Sequence, residues 1–265
     1  MVDPTRPGQV FPTSADEADA GLFLWFGGFA VGPDFDNHAS GSASNSYSPW
    51  LNTNQSDVLG SGAIADPWIV ETDVENLDTS ATMAADTIYV NGDEYFRIDW
   101  EIRVPSSGAA STFLAADFYL QGSDDGYGYY DAATGSVGGF NEPQDWFEIF
   151  TPVTPPSAYY EGYYRDVWNL IGTADVPGTG FNSTIDNTLV DNGAGLQWDR
   201  TIDGCAAFTA FWSFGDTPVL PPTSVSFSDI DGSMSANYTL VFAGILAILF
   251  VMFVAVRYHL VKNRS

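Results

Sequence analysis

The sequence predicts an all-β domain, a β-sandwich of jelly-roll-like kind, followed by a single C-terminal transmembrane α-helix. Three observations predict it. Phe96, Ile98, Trp100, Ile102 and Val104 alternate with Arg97, Asp99, Glu101 and Arg103, the period-two pattern of a half-buried strand. About eight to ten strand-like segments are separated by Gly- and Pro-rich joins, with no amphipathic helix longer than two turns before residue 238; this is the pattern of sandwiches and barrels. Finally, Thr239–Val256 is an 18-residue run without a charge. As a helix it is about 27 Å long, close to the hydrocarbon thickness of a bilayer.

The elements follow in order. Residues 1–20 read as an extended polar arm broken by prolines, in which TSADEADAG has the composition for one helical turn. LFLWFGGFAV reads as one strand or two, bent at Gly27-Gly28. Residues 34–62, rich in Ser, Asn and Gly, read as a loop. PWIVETDV is a short strand, and TIYV joins the alternating strand through a two-residue hairpin turn at Asn91-Gly92. On the charged face of that strand, residues two apart carry mixed signs, so neighbours along the strand can pair; the face reads either as solvated or as a docking surface. STFLAADFYLQ, DWFEIFTPV, RDVWNLIG, LQWDRTI, CAAFTAFWSF and PTSVSFS are further strands, and GSDDGYGYYDAATGSVGGFNEP and TPPSAYYEGYY are turn-rich joins. The β-domain so bounded spans residues 21–228, as one sandwich or two sub-sandwiches. Residues 229–237 form a tether, 238–258 the transmembrane helix and 259–265 a short basic tail.

The net charge is −26, from 34 acidic and eight basic residues. All the acids precede the apolar run, and the single lysine, Lys262, lies beyond it. Such an excess destabilises a compact chain by self-repulsion at low salt and becomes tolerable when molar salt shortens the Debye length. Disorder is excluded by the 15% aromatic content. A nucleic-acid role for the domain is excluded by its lack of positive charge. Cys205 is the lone cysteine, so no intrachain disulfide forms, and its setting in CAAFTAF reads as a small buried residue. The acidic, proline-containing N-terminus lacks the pattern of a secretory signal.

Candidate chemistry is sparse, and no enzyme activity and no small-molecule substrate are expected. His38 and His259 lie in no metal or nucleophile spacing, and neither a phosphate-binding Gly-rich loop nor a nucleophile elbow occurs. Oxygen ligands at alternate positions, as Ca²⁺ prefers, occur at Asp229 and Asp231 and again at Asp34 and Asp36; no other cofactor is expected. Sequons at Asn54 and Asn182 accept glycans if exported, whereas Asn237 is too near the lipid. The aromatic runs YGYYDAATG, YYEGYYRDVW and FTAFWSF read either as a sugar-stacking groove or as core and subunit interface.

Tyr238 and Tyr258 bracket the apolar run as interfacial anchors. Leu240, Phe242, Ile245, Leu249, Phe253 and Val256 make up the membrane anchor between them, and Arg257, Lys262 and Arg264 follow it. The positive-inside bias would place the acidic domain outside, yet no export signal is seen. The acid-rich, lysine-poor composition is similar to that of proteins from extreme halophiles. Together with the β-domain and the C-terminal span, it resembles structural proteins of membrane-containing haloarchaeal viruses with β-barrel shells. That resemblance implies a virion protein fixing the capsid to an internal membrane. Its partners would be the lipid bilayer and other capsid proteins, in a homo- or hetero-oligomer, with the basic tail against packaged DNA. The alternative is a haloarchaeal cell-surface binding or envelope-layer protein anchored in the cell membrane.

Overall fold

Strands β1 (Ala20–Phe26) and β2 (Phe29–Gly32) open the fold as an antiparallel hairpin, the two-strand form of the expected bend. Gly27 and Gly28 both take positive φ, 62° and 90°, as a two-residue hairpin turn of this hand requires. The computed structural model describes residues 20–33, 47–142, 145–174 and 179–218. The arm up to residue 19, PTSVSFS, the tether, the 238–258 span with its anchors, the basic tail and the oxygen-ligand pairs at Asp34/Asp36 and Asp229/Asp231 lie outside them, as do both histidines. Among the described residues no helix is long and apolar enough to cross a membrane.

The remaining elements are β3 (Ser48–Pro49), β4 (Leu51–Gln55), β5 (Trp68–Glu75), β6 (Thr82–Tyr89), β7 (Tyr95–Arg103), β8 (Gly108–Asp117), β9 (Asp125–Asp131), β10 (Ser136–Asn141), β11 (Trp146–Pro152), β12 (Ala158–Tyr163), α1 (Tyr164–Gly172), β13 (Val190–Ile202) and β14 (Cys205–Gly215). The domain is thus mostly β. Hydrogen bonding runs β3-β2-β1-β8-β13-β9-β10-β11-β14-β7-β6-β5-β4, with β12 also beside β13. β13 is the splice: residues 193–202 pair with β8, while Val190 and Asp191 pair with Gly126 and Asp125 of β9. At the other end Trp50 alone separates β3 from β4, leaving one sheet that is nearly closed and barrel-like.

Inward-facing side chains from both halves of this sheet form the main core. Trp100 of β7 stacks on Phe208 of β14 at 5.4 Å and meets Trp198 of β13 edge-on at 5.1 Å. On β7 the alternation holds: Ile98, Trp100 and Ile102 are buried, as is Val104 just past its end, and on its charged face Arg97 pairs with Asp99 at 2.8 Å and Arg103 with Glu101 at 2.5 Å. The connection before β7 differs from expectation. It spans residues 90–94, and Asn91, whose φ is not positive, instead accepts a hydrogen bond from Trp68 Nε1 at 2.8 Å.

Four further expectations are corrected. RDVWNLIG is helical, because Val167, Trp168 and Ile171 share one helical face and cover Phe23, Phe113 and Ala115 on the outside of β1 and β8; a strand would have buried Asn169 with Val167 and Ile171. The Ser/Asn loop contains β3 and β4, whose alternation is illegible because every residue of β4 is exposed. The turn-rich joins contain β9, β10 and β12. Their glycines mark close approach: a Cβ at Gly128 would lie 2.0 Å from Glu161 Oε2, and one at Gly139 2.0 Å from Asn192 Oδ1. Cys205 is exposed, since the register sets it beside Arg103 at the outer end of β7.

Outside β5, β6 and β7 the register places Glu71, Asp86 and Asp99 in one row. Asp86 is held above the usual carboxylate range by partial burial, then by Glu71, Asp99 and Asp73. Like charges directly opposite one another destabilise a sheet by about 0.2–1 kcal/mol. Asp86→Asn is therefore expected to raise the urea midpoint in 0.1 M salt. The gain is expected to shrink in molar salt, where the Debye length falls to about 3 Å. Titrations at both salt concentrations check this.

Candidate functional site

The gap between the β3 and β4 edges opens into a cavity of about 530 Å³ between the two halves of the sheet. Small side chains create it: Ala20 on β1 and Ala85 on β6 do not reach across. Its inner walls are Leu22, Leu114, Val74, Met83 and Ile98, with Trp50, Phe96 and Trp212 as aromatic panels. Trp50 is pinned by its indole N–H, which donates to the Leu22 carbonyl at 2.9 Å. Trp212 is wedged between Phe150 at 5.0 Å and Phe96 at 5.4 Å. Polar groups enter from β4, β5 and β6, as Asn52, Thr72 and Thr87. No Asp, Glu, Lys or Arg lines the cavity.

A different chemistry occupies the far end of the interior. Glu148 of β11 is fully buried, on the same face as Trp146 and Phe150. Burial pushes its carboxyl well above the usual range; the Trp212 indole partly offsets this and Asp117 adds to it. Glu161 of β12 is 1% exposed, accepting a hydrogen bond from Asn192 Nδ2 at 2.6 Å and one from the Asp186 backbone N–H at 2.9 Å. Burial raises its pKa to about 7 against those two bonds, with a further push from Asp186. At the splice, Asp191 is raised to about 6 by burial and then by Asp124 and Asp125. Among the described residues no group of three or more His, Cys, Asp or Glu is arranged to hold a metal ion.

The aromatic runs divide between two surfaces. Phe208, Trp212 and Phe214 are core, and Tyr130 stacks on Tyr159 at 4.3 Å from the partly buried layer beside it. Tyr127, Phe140 and Phe147 form a half-buried row across β9, β10 and β11, with ring centroids 5.6 and 5.3 Å apart, and Tyr129 meets Phe147 edge-on. Both described sequon residues, Asn54 and Asn182, are exposed. The cavity escaped sequence reading because its walls come from segments far apart in the chain. Glu148 was accessible to it: in WFEIF, period two sets the glutamate on the face of Trp146 and Phe150.

No protein-family model matches the chain, and no curated protein matches it. Among solved structures, the heparan sulfate lyase HepC from Pedobacter heparinus aligns over 63% of this chain and 22% of its own, at 9% identity and a TM-score of 0.41. A mutant of that lyase aligns over 69% and 23%, at 9% identity and 0.40. A heparinase III with methylated lysines aligns over 64% and 21%, at 8% identity and 0.33. The chain thus spans about a fifth of the length of these proteins, and scores at this level assign neither fold family nor activity.

Proposed function

We propose that the protein is a structural component of a membrane-containing halophilic virion. In this reading the β-domain, a jelly-roll-like sandwich, sits in the shell layer. Residues 238–258 anchor it in the internal membrane as a transmembrane helix, and Arg257, Lys262 and Arg264 face the packaged DNA. The observation that carries the reading is the β4 edge. Its five residues, LNTNQ, are all exposed and all uncharged, and β4 pairs with β5 on one side alone. The connection that follows exposes Val58 at 61%, Leu59 at 44% and Ile64 at 88%. Natural edge strands are blunted with charge or proline. An unblunted edge beside bare aliphatics, in so acidic a chain, suits pairing with a neighbouring subunit.

The double variant Thr53→Lys/Ile64→Glu is expected to convert an assembled full-length protein to monomer at molar salt without lowering its denaturation midpoint. Sedimentation in detergent reads this out, and a monomeric wild type would remove the support. A second reading, an envelope protein of the cell surface, is favoured by the exposure of Asn54 and Asn182. The two readings oppose each other at one residue, because a glycan on Asn54 covers the β4 edge. Density-gradient flotation of source-culture medium at high salt, with intact mass at Asn54, separates them. The virion reading expects co-banding with lipid and nuclease-protected DNA and an unmodified Asn54.

A further inference from the structure

We infer that the cavity between the β3 and β4 edges is a binding site for a neutral amphiphile, a single aliphatic chain carrying a hydroxyl- or amide-type head. This does not depend on the virion reading. At about 530 Å³ the space lies within the ordinary range of ligand pockets, well beyond the small dry voids that close-packed interiors leave. Its depth is aliphatic and aromatic, at Leu114, Met83, Ile98 and Trp212, and thus suited to a hydrocarbon body. Asn52, Thr72 and Thr87 supply neutral donors and acceptors on the β4–β6 side.

Charge selects the head. Along β5 and β6 the residues that line the cavity alternate with acids on the opposite face: Thr72 and Val74 with Glu71, Asp73 and Glu75, and Ala85 and Thr87 with Asp86. No basic side chain lines the cavity. A carboxylate or phosphate head would leave water for a lining with no counter-charge, whereas a hydroxyl meets matched partners.

The test uses the full chain in detergent at molar salt. It is photolabelled with a dodecanol analogue carrying a diazirine on its chain or with the matching dodecanoate, and the labelled residues are mapped by peptide mass spectrometry. The alcohol is expected to label Met83, Ile98 or Leu114, and excess dodecanol is expected to reduce that labelling at least tenfold. The dodecanoate is expected to label these residues at under a tenth of that level. Ala85→Leu, and separately Leu114→Phe, each fill the cavity and are expected to abolish the displaceable signal; two variants guard against one failing to fold. Labelling that excess dodecanol does not displace, or equal labelling by the dodecanoate, would overturn the assignment. So would labelling that appears only after residues 1–19 are deleted, which would give the cavity to the chain's own arm.

Discussion

Trp100→Ala is expected to cost about 3–5 kcal/mol, the usual range for removing a large aromatic side chain from a core. Trp100 is 2% exposed. It touches Phe208 on the neighbouring strand and, across the interior, Trp198 on β13, so its loss opens a void where the two halves of the sheet meet. Each aromatic pair adds roughly 0.5–1.5 kcal/mol beyond area burial. Against a typical total of about 5–15 kcal/mol, the variant is expected to lose a third or more of its stability. Urea titration at molar salt, followed by near-ultraviolet circular dichroism, measures it. Trp100→Phe, which keeps a ring against Phe208, is expected to lose much less. An unchanged midpoint for the alanine variant would mean that the halves do not meet across this residue.

The second large effect is a reversed pH dependence. Most folded carboxylates bind protons less tightly than in the unfolded chain, so stability rises with pH. Here Glu161 is raised from 4.5 to about 7 and Glu148 moves in the same direction. An acid whose proton is held more tightly in the folded state stabilises fully below its unfolded pKa, and that contribution is lost as pH rises through the folded value. For Glu161 the window is pH 4.5 to 7, and the difference corresponds to roughly 3 kcal/mol. Asp191, raised to about 6, acts in the same sense, as does Glu148. The protein is therefore expected to resist urea better at pH 5 than at pH 8 at constant molar salt. Glu161→Gln is expected to flatten the slope between them. A wild-type midpoint that climbs from pH 5 to 8 would show these acids ionised in the folded state.

What could be read from the sequence divides along physical lines. β7 was legible because one of its faces packs and the other is wet, which writes the alternation at Phe96–Val104 into the chain. The bend at Gly27-Gly28 was legible because two consecutive left-handed residues admit few side chains. β4 was not, since an edge strand exposed on both faces has no pattern to write. β9 and β10 were hidden by Gly126, Gly128, Gly138 and Gly139, which look like turn residues. At Gly128 and Gly139 glycine is present because Glu161 and Asn192 occupy the space a Cβ would take. The helix α1 was hidden by its valine, tryptophan and isoleucine, whose strand preference is outweighed by packing on Phe23 and Phe113. The cavity and the buried acids depend on which distant strands face each other, and local composition does not carry that.

The place of β14 in the sheet also sets a timetable. This last described strand is a central one, bonded to β11 on one side and to β7 on the other, where Cys205 meets Arg103 about a hundred residues upstream. Such long-range pairing makes folding slow. During synthesis the strands up to β12 have no central partner on which to close, and their apolar faces stay uncovered until residue 215 has been made. The domain can therefore close only after β14 has been made. A nascent chain stopped anywhere upstream of β14 is an open sheet that needs a chaperone or a neighbour.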